Sequence, residues 1–157
     1  MLTRLLGLLA MCASLVVVLV ATGCGGGDDV ATQAELQEVV VSGRDRVDFA
    51  LARIPKAKSL DEYVNRMDEA AVVIDDAASR LEEITPPPEF EPEATKLEKA
   101  LRQLAVDYDG AADQIRLTPE ILGGAAGLSF DSWDRANLAL AGLAGKGLEV
   151  SVLQPHA

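Results

Sequence analysis

Four stretches of this chain place apolar side chains alternately three and four residues apart, and that spacing constrains the fold more than any other feature. In the first, from about Thr32 to Ile54, the stripe is Leu36, Val40, Gly43, Val47, Ala50 and Ile54. In the second, Leu60, Met67, Ile74 and Leu81 recur every seven residues, with Val64, Ala71 and Ala78 on the adjoining line. The third carries Phe90, Ala94, Leu97, Leu101, Leu104, Tyr108, Ala111 and Ile115; the fourth carries Phe130, Trp133, Ala136, Leu140, Leu143 and Val150. A mean repeat of about 3.5 residues is the seam of α-helices crossing at roughly 20°. Four such segments with short connections predict an all-α, up-down-up-down four-helix bundle over residues 32–150. No stretch alternates with period two, so no sheet is expected. With only 4% aromatic residues, the core must be built from Leu, Val, Ile and Ala, and inward alanines let the helices approach closely.

Local signals set the boundaries. Pro55 stops the first segment, because the residue before proline avoids the α region. Gly43, inside the apolar stripe, marks close approach to a neighbour at up to ~1 kcal/mol of helix propensity. Ser59-Leu60-Asp61-Glu62 reads as a capping box for the second segment, and Thr85-Pro86-Pro87-Pro88 ends it with a stiff extended connector. Pro92 fits only a first turn, so the third helix starts between Glu89 and Pro92. Thr118-Pro119-Glu120 looks like another start, cut short by Gly123-Gly124-Ala125-Ala126-Gly127. The fourth helix begins near Ser129 to Asp131. Gly142, Gly145 and Gly147 predict fraying at its end, and residues 151–157 read as a loose tail.

Ahead of the bundle lies an apolar leader, Leu5 to Val20, broken only by Gly7 and Ser14 and preceded by Arg4. Those are the parts of a secretory signal. The run Val20-Ala21-Thr22-Gly23-Cys24 resembles the lipobox of bacterial lipoproteins, with Ala21 where Leu or Val is usual. The resemblance implies cleavage between Gly23 and Cys24 and a diacylglyceryl thioether on Cys24. The chain then divides into a signal peptide (1–23), a lipidated cysteine with a flexible tether (24–31), the bundle and the tail. Two acyl chains hold firmly where one binds reversibly, since each buried methylene adds about 0.8 kcal/mol. An uncleaved membrane anchor and ordinary secretion without lipid are the alternatives at this point.

Composition narrows the partners. Without residues 1–23, 134 of the 157 residues remain, enough for one domain with its own core. Arg4 is the leader's sole charge, so its loss takes the net charge from −11 to −12. Such a surface repels nucleic-acid phosphates and anionic headgroups and favours cationic partners. Cys12 and Cys24 are the two cysteines, one in the leader and one at the lipid site, so no disulfide framework is expected.

Candidate sites are few. The second segment carries acidic pairs every seven residues, Asp61/Glu62, Asp68/Glu69, Asp75/Asp76 and Glu82/Glu83. They suit hard cations or a basic partner, but a solvated helix face with Glu62–Arg66 and Asp76–Arg80 pairs yields the same spacing. Asp107, Asp109 and Asp113 flank Tyr108 without the Glu-x-x-His pairs of di-iron bundles, and the lone histidine, His156, lies in the tail. No metal, cofactor or catalytic set is therefore expected, and Ser59, Ser129 and Ser132 read as helix caps rather than nucleophiles. Phe130 and Trp133, beside the glycine-rich loop, form the one candidate ligand or partner patch, with core packing as the plainer reading.

The passage Leu81-Glu82-Glu83-Ile84-Thr85-Pro86-Pro87-Pro88-Glu89-Phe90, followed by Leu97, Leu101-Arg102, Leu104-Ala105 and Asp107-Tyr108, resembles small helical lipoproteins of Gram-positive, especially actinobacterial, cell envelopes. In those a proline-rich corner joins two long helices and a histidine often follows it; here Thr95, Lys96 and Leu97 stand in that region. The resemblance implies an envelope location and a bundle, and no particular activity. The function expected is a membrane-anchored binding or scaffolding module with an envelope protein as partner. The alternative is an accessory lipoprotein holding a small ligand or cation on the acidic face or near Trp133.

Overall fold

The computed structural model describes residues 30–120 and 130–155. The leader, Gly23, Cys24, the glycine-rich segment 123–127 and His156 lie outside the described residues. Among the described residues the helices are α1 (Gln33–Leu51), α2 (Leu60–Glu82), α3 (Glu91–Leu117) and α4 (Asp131–Gly145), with a 3₁₀ turn at Ile54–Lys56. Among the described residues the single β-type contact is an isolated bridge between Val30 and Thr85.

Polar side chains start the first two helices. Thr32 and Glu35 form a full capping box on α1: Thr32 Oγ1 accepts the Glu35 N–H at 3.2 Å, and Glu35 Oε2 accepts the Thr32 N–H at 2.7 Å. Ser59 caps α2 through the Glu62 N–H at 3.1 Å. The expected reciprocal bond is displaced by one residue, because the Glu62 carboxylate accepts from Lys58 N–H at 2.7 Å. α1 ends at Leu51, earlier than its apolar stripe; Pro55 sits inside the following 3₁₀ turn, where Ile54 stays buried. At the proline corner the N–H groups of Phe90 and Glu91 both donate to the Pro87 carbonyl, at 2.8 and 3.1 Å, and Pro92 falls in the first turn of α3.

Ion pairs across the seams give the helix directions. Arg46 meets Asp76 at 2.6 Å and Arg53 meets Glu69 at 3.0 Å, so α1 rises as α2 descends. Arg102 with Asp75 and Arg116 with Asp68 do the same for α2 and α3. Ser132 beside Asp107, and Glu93 beside Gly142, do it for α3 and α4. The up-down-up-down order follows. Every residue of the α1 stripe is buried, as are Val64, Met67, Ala71, Ile74, Ala78 and Leu81 on α2. Leu97, Leu101, Leu104 and Ile115 meet Ala136, Leu140 and Leu143 in the same core. One pole of the bundle holds the proline corner and the ends of α1 and α4 nearest it; the other holds the 3₁₀ turn and the start of α4.

The C-terminus corrects two expectations. The end of α4 does not fray. Gly147, at φ 104°, closes a Schellman motif: its N–H donates to Ala144 O at 3.0 Å, and Leu148 N–H donates to Leu143 O at 3.1 Å. Leu148 and Leu143, the apolar pair of that motif, are both buried. Nor is the following segment loose: residues 148–155 form a strap laid along α1, with Leu148 and Leu153 at 3% and 1% exposure. The strap takes the seam where α1 and α4 would otherwise close the bundle, and Val40, Val47, Leu140 and Leu153 meet there. Ahead of α1, Ala31 N–H donates to Thr85 O at 2.8 Å and fixes the chain there.

Candidate functional site

The start of α4 brings the predicted aromatic patch together with part of α3. Phe130 is the N-cap residue, with no side-chain cap bond, and the Trp133 N–H donates to its carbonyl at 2.9 Å. The Phe130 ring stands edge-on to Tyr108, with centroids 5.2 Å apart and planes at 62°. That is the favoured aromatic arrangement. Phe130, Trp133, Tyr108 and Tyr63 are all partly buried against the core. Burial pushes the Tyr108 hydroxyl up to about 12, with Tyr63 adding in the same direction, and burial also raises Tyr63. The patch is therefore an aromatic lining at one pole, continuous with the core.

Beside it, Ser132 departs from its expected role. It is not the cap of α4 but a fully buried hydroxyl that donates to Asp107 Oδ2. Asp107 also accepts from Gln103 Nε2 at 2.9 Å. Its carboxylate thus satisfies a polar group that the small side chains of α4 bring into the core. Asp113 is engaged by Arg116 at 2.7 Å. Asp107 and Asp113 thus have separate partners, and the aspartates around Tyr108 do not converge into a metal-binding group.

The acidic pairs of α2 straddle the helix. Three first members face α3, where Asp68 meets Arg116 and Asp75 and Glu82 meet Arg102. Two second members face α1, where Glu69 meets Arg53 and Asp76 meets Arg46. Adjacent residues on a helix lie about 100° apart, so a pair repeated every seven residues edges both seams at once. Glu62–Arg66 and Asp76–Arg80 form within the helix. The Lys58 N–H, helped by Arg66, holds the Glu62 carboxyl below the usual range; Arg46 and then Arg80 do so for Asp76. Five of these eight acids, Asp68, Glu69, Asp75, Asp76 and Glu82, are interhelical cross-links. Among the described residues no three His, Cys, Asp or Glu side chains converge in a way that could hold a metal ion.

Sequence reasoning missed the strap. Its spacing, Leu148, Val150 and Leu153, fits no helical stripe, and the polar side chains that hold it are scattered over α1 and α4. Gln33 Nε2 donates to Gly147 O at 3.1 Å, and Gln37 Oε1 accepts from Glu149 N–H at 3.2 Å. Asn137 Oδ1 accepts from Leu153 N–H at 2.7 Å, and Asp48 Oδ1 from Gln154 N–H at 2.9 Å. Lys146 Nζ ties the end of α4 to the Glu89 carbonyl of the proline corner at 2.6 Å. The available signal was Lys146-Gly147-Leu148, a helix stop followed by an apolar residue.

Comparison with known proteins finds no matching family model, no matching curated protein and no matching solved structure. Among the described residues no helix is long and apolar enough to cross a membrane.

Proposed function

We propose that this chain is a lipid-anchored, extracytoplasmic four-helix bundle that serves a bacterial cell envelope as a non-catalytic binding or scaffolding module. The run Val20-Ala21-Thr22-Gly23-Cys24, after an apolar leader, carries the reading. The fold supports it in two ways. Many polar side chains of the helices are engaged in caps, seams and the strap, and the best-enclosed polar pair, the Ser132 hydroxyl on the Asp107 carboxylate that Gln103 also holds, sits inside the α3–α4 seam. Just ahead of α1, Val30 and Ala31 are fixed to Thr85 at the proline-corner pole.

Five residues, Gly25 to Asp29, separate that point from Cys24, a reach of about 17 Å at full extension. On this reading the proline corner faces the bilayer. The Phe130–Trp133 pole points outward, about 35 Å away along the 23 residues of α2. The acidic surface keeps the body off anionic headgroups. Cys24→Ala is the test: it leaves the bundle folded by circular dichroism, abolishes incorporation of labelled fatty acid and releases the protein from the membrane fraction. Normal lipid labelling of that variant refutes the assignment.

A further inference from the structure

Phe49 is the one exposed aromatic side chain among the described residues, at 70%. It stands on α1 opposite Val73 of α2. The pairs Arg46–Asp76 and Arg53–Glu69 cross the seam on either side and set the two residues at one height. A groove of about 340 Å³ opens there, lined by Phe49, Ala50 and Val73 between Arg46, Arg53 and Glu69. Val72, also 70% exposed, carries the apolar surface on over α2, while Val106, Leu117 and Leu138 are spread over α3 and α4. An aromatic side chain in an apolar groove with a charged rim is the anatomy of an interaction surface.

The order of charges on this rim selects what fits it. The α1 edge carries Arg46 and Arg53, one turn to either side of Phe49, and the α2 edge carries Asp76 and Glu69 at the same heights. These four side chains are paired within the chain yet stay between 42% and 55% exposed, so they also reach outward. Asp45, paired with Arg44, and Arg80, paired with Asp76, add one charge of each sign. The rim is neutral on a chain of net charge −11, so a second copy meets it without the repulsion that the rest of the surface exerts. With a two-fold axis parallel to the helices, α1 of each copy lies opposite α2 of the other at equal height. Arg46 then meets the partner's Asp76 and Arg53 the partner's Glu69, each twice. With the axis across the helices, Arg46 meets the partner's Arg53 and Asp76 the partner's Glu69, like against like. The arrangement that the charges favour puts both proline corners at one end, as two chains anchored through Cys24 in one bilayer require.

We infer that the Phe49 face of α1 and α2 joins two copies of this chain side by side in a parallel, isologous dimer, with the two Phe49 rings meeting near its axis. The inference goes beyond the binding-module reading and stands on the surface of the bundle. Variants on this face leave Cys24 labelling untouched, so either idea can fail alone.

The test is sedimentation equilibrium of the full chain in a non-ionic detergent at low salt, where charge contacts are least screened. The parent chain shows a monomer–dimer equilibrium, and Phe49→Glu weakens it by about tenfold or more while keeping its helical signal. Leu138→Glu, a comparable change on α4, leaves association as it was. The deciding arm reverses one charge at a time. Arg53→Glu alone and Glu69→Arg alone each set like charges against one another twice in a homodimer, so each associates more weakly than the parent. Mixed in equal amounts, the two variants pair with each other, because both contacts between the copies are again opposite in sign while the pair within each chain stays broken. Damage to the fold cannot produce that recovery. Should Phe49→Glu lose its helical signal, the mixture decides. A parent chain that stays monomeric to about 1 mM overturns the inference. So do association unchanged in a folded Phe49→Glu, equal loss in Leu138→Glu, and a mixture no tighter than its components. Tighter association of Arg53→Glu alone, the sign of the crosswise axis, overturns it as well.

Discussion

A methyl group on Gly43 would meet the Cβ of Ala77, across the α1–α2 seam, at 3.5 Å, which is ordinary van der Waals contact. The glycine lets the helices approach but is not demanded by them. Gly43→Ala is therefore expected to stabilise the protein by about 0.5–1 kcal/mol through helix propensity, read as a higher urea midpoint at unchanged slope. Tyr108 makes a second prediction at this scale. Burial holds its phenol neutral up to about 12, so the fold gains from the neutral form. That contribution is complete below the ordinary tyrosine value near 10 and is lost as pH climbs to about 12. With two tyrosines in the chain, both raised by burial, absorbance titration should show two ionisations above the ordinary range, the later of which Tyr108→Phe removes. The residue-scale chemistry was partly legible. Phe130 and Trp133 were visible as large aromatics beside a loop, but Tyr108, the edge-on partner of Phe130, is 22 positions earlier, and no local pattern joins the two.

At the scale of elements, the helices were readable because their stripes, caps and prolines agree with one another. Leu36 through Ile54 and Val64 through Leu81 are buried where the seven-residue repeat puts them. The errors arise where a residue's meaning depends on position rather than type. Gly147 weighs against a helix interior, but one residue past the helix cap it supplies the left-handed conformation that closes the last turn. Gly147→Ala should accordingly cost about 1–2 kcal/mol, measured by urea unfolding, because an L side chain at φ 104° is strained. Acidic pairs on α2 were legible as a repeat. Their division between two neighbours was not, since the arginines that decide it, Arg46, Arg53, Arg102 and Arg116, lie on other helices.

For the whole molecule, α2 and α3 form the spine. α1 packs on α2, α4 packs on α3, and cross-seam ion pairs fix both α1 and α3 to the acids of α2. The ring is closed by extended chain instead of by a fourth helix–helix seam, and that asymmetry has a kinetic consequence. Separating most helical bundles along a seam means pulling two rods apart. Here one seam can unzip while all four rods stay wound, by releasing two leucines and a handful of amide bonds. In native-state hydrogen exchange, the protons on Glu149, Leu153 and Gln154 should trade with solvent together, at an opening energy well under that of global unfolding, while interior amides of α2 and α3 follow the global value. The fold thus contains its own weakest door, hung on Gly147.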